Sequence, residues 1–250
     1  MRLTVGNRVF APRTWPAAVT LLVLAGCVSL GCWQIGRGRE KRELLEAFAR
    51  GTQTTIDLSG RDIDEMPRYQ HVRVNGHYRP GHQVLIDNMP AANGAAGYRV
   101  LTPLERADGH GIVLVDRGWV PMGLTRDRLP DVAVGDEPRA VRGRLDTLPV
   151  PGIRIGNASV AGDERWPRVL LFPTVADLEA TLGVRVASRI VLLDDDLPDG
   201  YERVWRPSIG FGPERHLGYA LQWFALGIAA AVAFVATSLR RDGPEPGGVP

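Results

Sequence analysis

Two uncharged, strongly apolar stretches decide how this chain is organised. The first, residues 15–36, reads WPAAVTLLVLAGCVSLGCWQIG, and the second, residues 216–239, reads HLGYALQWFALGIAAAVAFVATSL. A bilayer core is spanned by a helix of about 20 predominantly apolar residues. Neither stretch shows the polar face that a helix on the surface of a soluble core carries. We therefore predict two transmembrane helices, at residues 14–36 and 216–239.

The first stretch also has a second interpretation. Three arginines precede the apolar run, as in a secretory signal peptide, and Leu24-Ala25-Gly26-Cys27 resembles a bacterial lipoprotein cleavage site. Against this interpretation, the apolar run continues past Cys27 through Trp33 and passes into an amphipathic, charged segment after Arg37. The transmembrane helix is the preferred prediction, and lipoprotein processing is the alternative.

Composition and charge narrow the function classes. The chain has 250 residues, of which 44% are hydrophobic, and its formal net charge is +2. A charge this close to zero gives no reason to expect nucleic-acid binding.

Both cysteines, Cys27 and Cys32, lie in the first apolar stretch, so the domain that follows has no disulfides. Arginines flank both stretches on both sides, and the positive-inside rule applies only to short loops, so charge leaves the membrane orientation open.

Residues 37–215 form an extramembrane domain between the two spans. Residues 37–50 predict a helix that continues the first span, and residues 174–182 predict a short helix with Thr174 as its N-cap. The remaining pattern is a series of short runs bounded by glycine, proline and asparagine, which is typical of strands. Strands are predicted at 69–78, 82–87, 98–104, 111–120, 139–145, 168–172 and 188–193.

This pattern predicts an α+β fold. Two transmembrane helices flank a β-rich domain, either an antiparallel sheet or an open barrel, with minor helices. Residues 1–13 are predicted to be a short N-terminal tail. Residues 240–250 are rich in proline and glycine, which predicts a disordered C-terminal tail.

Motifs of common enzymes are absent from the sequence. It contains no G-x-S-x-G, P-loop, H-E-x-x-H or C-x-x-C motif. The histidines of the domain lack the cysteines or carboxylates that complete a standard zinc site. The sequence therefore offers no catalytic constellation.

Polar and aromatic residues come together where the two predicted spans meet the domain. His216, Tyr219 and Trp223 share one stripe of the second helix, because they lie at positions i, i+3 and i+7. Trp33 and Gln34 lie near the end of the first helix. Both helices enter the same domain, so these two ends lie at the same membrane surface. We predict that the five residues line one interfacial pocket.

Two interpretations of this pocket stay open. In the first, the aromatic residues form an interfacial belt and His216 reaches towards the headgroups. In the second, the neutral imidazole of His216 binds a metal, because an ionisable residue at such a depth is a functional hypothesis by default. Haem suits such a place, since its iron accepts an axial histidine and its macrocycle tolerates hydrocarbon. Arg37 or Arg215 would then pair with the haem propionates.

Four segments together resemble the surfeit locus protein 1 family. They are GCWQIGRGREKRELL at the end of the first span, GYRVLTPL and VLVDRGWVP in the domain, and HLGYALQWFAL at the second span. Their order and spacing are similar to those of the family from about Trp15 to Arg241.

The resemblance implies an assembly factor for haem-copper cytochrome oxidase that is not an enzyme. Bacterial members of the family are proposed to bind haem a and to help place it in oxidase subunit 1. On this resemblance His216 is the candidate axial ligand of the haem iron. The candidate cofactor-binding residues are Trp33, Gln34, Arg215, His216, Tyr219 and Trp223.

The resemblance also implies partners and a location. The expected partners are oxidase subunit 1, other oxidase assembly factors and the lipid membrane. The start of the chain is too short for a mitochondrial transit peptide, so we expect a bacterial inner-membrane protein whose domain lies in the periplasm. Two alternatives are a haem-independent scaffold that stabilises an oxidase assembly intermediate, and a membrane-anchored hydrolase or sensor domain.

Overall fold

A computed structural model describes residues 3–5, 8–51, 53–91, 93–123, 128–149, 165–207 and 210–241. The chain divides into two compact units. The terminal unit comprises Met1–Leu45 and Ser208–Pro250, and the central unit comprises Glu46–Pro207.

Two long apolar helices dominate the terminal unit. Helix α1 runs over Thr14–Arg50 and helix α3 over Pro213–Ser238. Both are long and apolar enough to cross a membrane, and only 11% of the most apolar window of each is buried. A core helix of a soluble protein buries most of such a window, so this exposure is consistent with a membrane protein. The prediction that residues 37–50 continue the first helix is confirmed.

Small residues bring α1 and α3 together. Gly31 lies against the ring of Phe224, and a Cβ atom at this position would overlap the ring. Gly227 lies against Cys27, and a Cβ atom there would stand 3.3 Å from the Cys27 Cβ. Glycine at such positions allows close helix approach in membranes. The two contacts also define an antiparallel register for the helices.

A three-stranded antiparallel sheet pairs the segment before α1 with the residues that follow α3. Its strands are β1 (Leu3–Val5), β2 (Arg8–Phe10) and β11 (Leu239–Arg241), in that order. The predicted tails therefore contain strands, and the prediction of disorder is wrong at Arg240 and Arg241. The pairing partner that orders β11 lies far away in sequence, so composition alone could not show it. Residues 242–250 lie outside the described part of the chain.

The central unit is built on a closed ring of five strands. In ring order these are β4 (His71–Tyr78), β6 (Gly97–Arg106), β7 (Ile112–Pro121), β10 (Val186–Leu193) and β8 (Arg139–Thr147), with β8 paired to β4. Neighbours in the ring are antiparallel except β7 and β10. Closure of the ring leaves these five strands without an unpaired edge.

Three short strands extend this ring. They are β3 (Thr55–Asp57), parallel to β4, β5 (Val84–Asp87), antiparallel to β6, and β9 (Arg168–Leu171), parallel to β5. Helix α2 (Val175–Leu182) follows, with Thr174 as its N-cap, as predicted. Thr174 also forms a capping box with Asp177. The predicted fold class, a β-rich domain with minor helices between two long helices, is confirmed. The barrel is closed rather than open, because β4 pairs with both β6 and β8.

Buried and exposed residues alternate along β4, and the buried ones form one side of the barrel core. Val72, Val74 and Tyr78 are buried, whereas Arg73, Asn75 and His77 are exposed. The buried Tyr78 lies among apolar side chains, and burial raises the pKa of its hydroxyl to about 12. Burial thereby keeps the tyrosine neutral over the whole physiological range.

A buried arginine ties the loop after β3 to the end of β6. Arg106 donates to the carbonyls of Leu58 (2.5 Å) and Arg61 (3.1 Å) and to Asp108 Oδ2 (2.5 Å). Burial opposes ionisation of Asp108, but hydrogen bonds from the Gly60 N–H, from Arg106 and from the His110 N–H outweigh it and lower the pKa of this carboxyl to about 2. The folded state therefore holds Asp108 as a carboxylate.

This shift predicts an acid-dependent stability. The pKa of Asp108 in the folded state lies below its ordinary value of 3.8. Its contribution is therefore present above about pH 4 and is lost as the pH falls towards 2. We expect Asp108→Asn to lower the unfolding free energy at pH 7 and to flatten its pH dependence between 4 and 2. Urea unfolding of the detergent-solubilised chain at several pH values measures this, and Asp136→Asn, at an exposed aspartate, is the control.

Candidate functional site

His216 and Gln34 meet at the contact between α1 and α3. The Nδ1 atom of His216 lies 2.7 Å from Oε1 of Gln34. An amide oxygen can only accept a hydrogen bond, so this contact places the imidazole hydrogen on Nδ1. The lone pair then lies on Nε2, which receives no hydrogen bond from the residues that the structure describes. The geometry leaves one imidazole nitrogen available to a ligand.

The start of α3 places His216 in this position. The helix begins at Pro213, which suits a first helical turn, and His216 follows within that turn. The helix therefore starts three residues before the predicted span. Gly38 of α1 faces this turn, and a Cβ atom there would lie 3.4 Å from the His216 Cβ. The absence of a side chain at Gly38 lets the two backbones approach beside the imidazole.

The other predicted site residues surround this pair less closely. Trp33 is 57% exposed and Tyr219 is 40% exposed, whereas Trp223 is half-buried. No ring contact joins these three side chains to His216 in the described ranges. Arg215 is exposed, with its guanidinium 5.0 Å from the ring centre of Phe211. The structure thus joins Gln34 to His216, and a single pocket lined by all five residues stays a prediction.

The imidazole of His216, held by Gln34, has the chemistry of a haem iron ligand. A neutral imidazole with one nitrogen hydrogen-bonded and the other open is the usual state of a histidine ligand. Among the described residues, no cluster of three or more histidine, cysteine or acidic side chains forms an alternative metal site. Arg37, the other arginine considered for the propionates, pairs with Glu40 at 2.5 Å in an exposed contact. Exposed ion pairs are weak, so another anion could replace the Glu40 carboxylate beside Arg37.

The barrel carries a buried ion pair that the sequence analysis missed. Asp116 of β7 is fully buried and pairs with Arg99 of β6. Burial raises the pKa of the Asp116 carboxyl, while Arg99 and the Gly118 N–H, which donates to Oδ1 at 3.0 Å, oppose this rise. The sequence signal is the adjacent pair of charged residues, Asp116 and Arg117, inside a strand whose other residues are apolar or glycine.

This ion pair lies beneath a cavity with fixed aromatic walls. The cavity measures about 430 Å³, and Met89, Trp119 and Trp205 line it together with Arg99. The Trp119 Nε1–H donates to the Met89 carbonyl at 2.7 Å, and the Arg99 guanidinium lies 4.8 Å from the Trp205 ring centre. These contacts hold the walls in place, so the cavity is a preformed feature of the barrel.

Fold and site together define a class of protein. In this class a closed β-barrel domain is inserted between two helices that are long and apolar enough to span a membrane, and a histidine lies at the start of the second helix. The family comparison identifies the particular family within this class. The chain belongs to the SURF1 family, whose model matches residues 21–228.

Individual relatives agree with this assignment. A SURF1-like protein of Rickettsia felis is 25% identical over 223 residues, which cover 87% of this chain and 94% of the relative. Surfeit locus protein 1 of Xenopus tropicalis is 30% identical over 118 residues, covering 40% of this chain and 38% of the relative. Cytochrome oxidase assembly protein SHY1 of Saccharomyces cerevisiae is 32% identical over 95 residues, covering 36% of this chain and 24% of the relative. The predicted family is confirmed.

Proposed function

We propose that this chain is a membrane-bound assembly factor for haem-copper cytochrome oxidase that binds haem a through His216 and assists its insertion into oxidase subunit 1. The observation that carries the proposal is the hydrogen bond between His216 Nδ1 and Gln34 Oε1, because it leaves Nε2 free to bind iron. Family membership and the name of the yeast relative, a cytochrome oxidase assembly protein, support the assembly role. The role is non-catalytic, since haem leaves chemically unchanged.

The proposal also assigns a location. The two long apolar helices anchor the chain in a membrane, and the Rickettsia relatives, which match over 94% and 85% of their own length, are bacterial. We therefore infer a bacterial inner-membrane protein with its barrel in the periplasm. There the barrel would contact subunit 1 and other oxidase assembly factors.

The chain's own residues would divide the work of binding. His216 supplies the ligand nitrogen, and Gln34 holds the imidazole hydrogen on Nδ1. The exposed rings of Trp33 and Tyr219 offer apolar surface to the macrocycle, and Arg215 offers a cation to a propionate. Reversible binding is a requirement for handing haem onward, and a single histidine in a partly open site meets it.

A deletion strain tests the proposed function. Membranes of the deletion strain are compared with wild-type membranes for haem a absorption and for the amount of subunit 1. Subunit 1 that accumulates without haem a supports the proposal. Subunit 1 that is scarce but fully loaded with haem a contradicts haem insertion and favours the haem-independent scaffold.

Gln34 gives a prediction that is specific to the site. Gln34→Leu removes the acceptor for Nδ1–H, so the imidazole loses its fixed tautomer and orientation. Loss of such an outer contact typically weakens metal binding by about 10- to 100-fold. We expect haem titration of the purified variant to show a weakening in this range, whereas Gln34→Glu, which retains an acceptor, keeps tight binding.

A matched control separates this effect from general damage to the helices. Gln222 lies on α3 with its side chain exposed. Gln222→Leu makes the same chemical change and should leave haem affinity unaltered. Equal affinities of wild type, Gln34→Leu and Gln222→Leu would exclude a positioning role for Gln34.

A further inference from the structure

Arg144 of β8 is a half-buried cation that no described residue accepts a hydrogen bond from. Its guanidinium carbon lies 3.5 Å from the ring centre of Phe48, and its Nε is buried without a hydrogen-bond partner. No acceptor in the described part of the chain hydrogen-bonds to the guanidinium. Burial lowers the pKa of Arg144 below its usual value, although Asp194 and Asp146 oppose this shift. The terminal N–H groups of this half-buried cation are thus the donors that a ligand could engage.

The carboxylates near Arg144 are engaged elsewhere. Asp194 lies 2.9 Å from Nε2 of His71, and Asp146 accepts from the Arg68 Nε at 2.6 Å and from the Thr147 N–H at 2.7 Å. Among the described residues, neither carboxylate forms a hydrogen bond or a close ion pair with Arg144. A half-buried guanidinium that lacks its own hydrogen-bonded counterion is costly unless something else fills that position.

A cavity provides the space for such a ligand. It measures about 290 Å³ and lies within the central unit; its lining residues are Phe48, His71, Arg144, Asp194, Asp195, Arg203 and Trp205. Arg203 contributes a second cation, which donates to the carbonyls of Asp195 (2.9 Å), Leu197 (3.0 Å) and Asp194. These bonds fix the turn that forms one side of the cavity, so the opening beside Arg144 is maintained by the fold.

We propose that this cavity binds a carboxylate-bearing ligand, with the carboxylate paired to the Arg144 guanidinium. The planar fork of arginine matches a carboxylate in a two-bond contact. Asp194 and Asp195 on the lining penalise a doubly charged anion more than a singly charged one, so a carboxylate is favoured over phosphate. Phe48 and Trp205 supply apolar surface for the body of the ligand. The proposal does not depend on haem binding.

Chemical protection tests this site in the full chain. The detergent-solubilised protein is treated with phenylglyoxal, which modifies guanidinium groups, and modification of each arginine is followed by mass spectrometry. Sodium acetate is the probe, and sodium chloride at equal ionic strength is the reference. We expect acetate to slow modification of Arg144 saturably. Arg142 lies on the same strand and already pairs with Asp196 at 2.6 Å, so its modification should not change.

A charge variant sharpens the test. Asp195→Asn removes a negative charge that repels acetate from the cavity lining. Half-protection of Arg144 should therefore need about fivefold less acetate. Asp136→Asn makes the same change at an exposed aspartate that does not line the cavity and should shift nothing. Absence of saturable protection by acetate overturns the proposal. Protection by inorganic phosphate alone also overturns it, because the site would then select phosphate over carboxylate.

Discussion

Arg99→Met is expected to destabilise the barrel by about 3–5 kcal/mol, the cost of removing one partner of a buried ion pair. Asp116 is completely buried, and Arg99 is the cation paired with it. Without Arg99 this carboxylate must either remain charged in the core or take up a proton, and both cost free energy. Denaturant unfolding of the detergent-solubilised variant at pH 7, followed by near-UV circular dichroism, measures the loss.

The double variant Arg99→Met/Asp116→Asn identifies the cause. An asparagine at position 116 carries no charge and still offers an oxygen to the Gly118 N–H. We expect it to recover more than half of the stability lost in the single variant. A single variant that loses under about 1 kcal/mol, the value typical of exposed pairs, would show that the ion pair does not stabilise the barrel.

His216→Ala is expected to have the largest effect on ligand binding. The substitution removes the Nε2 atom of His216, which receives no hydrogen bond from the described residues. Loss of a direct ligand should exceed the 10- to 100-fold effect typical of outer contacts, so we expect haem affinity to fall by more than about 100-fold. Haem titration monitored in the Soret region measures this.

Control variants distinguish ligand loss from a general effect. His77 is an exposed histidine on the barrel, so His77→Ala should leave haem affinity unchanged. The oligomeric profile and helix content of His216→Ala should match the wild type, because the imidazole is only half-buried. Retention of wild-type affinity in His216→Ala would assign the iron to another ligand.

Local patterns in the sequence account for most of the elements of the fold. The capping box of Thr174 and Asp177 and the alternation of Val72 and Val74 depend only on neighbouring residues, and both were predictable. Ring closure depends on β4 pairing with both β6 and β8, which no local pattern encodes. Strand β3 was missed because its three residues lie in a polar, turn-rich segment and pair only with the edge of β4.

Part of the candidate site was also predictable from the sequence. Matching the depths of two helices that enter one domain placed Gln34 and His216 at the same level, and the structure shows them hydrogen-bonded. The orientation of Trp33 and Tyr219 depends on helix rotation, which the sequence does not specify. The pair of Arg99 and Asp116 joins two strands, so finding it required the observed sheet pairing.

The proposed function depends above all on the binding of haem a through His216. The most direct measurement is the absorption spectrum of detergent-purified full-length protein from cells that make haem a, with His216→Ala purified in parallel. We expect Soret and α bands in the wild type that are lost or strongly shifted in the variant. Identical bands in both proteins, or no haem bands in the wild type, would contradict it.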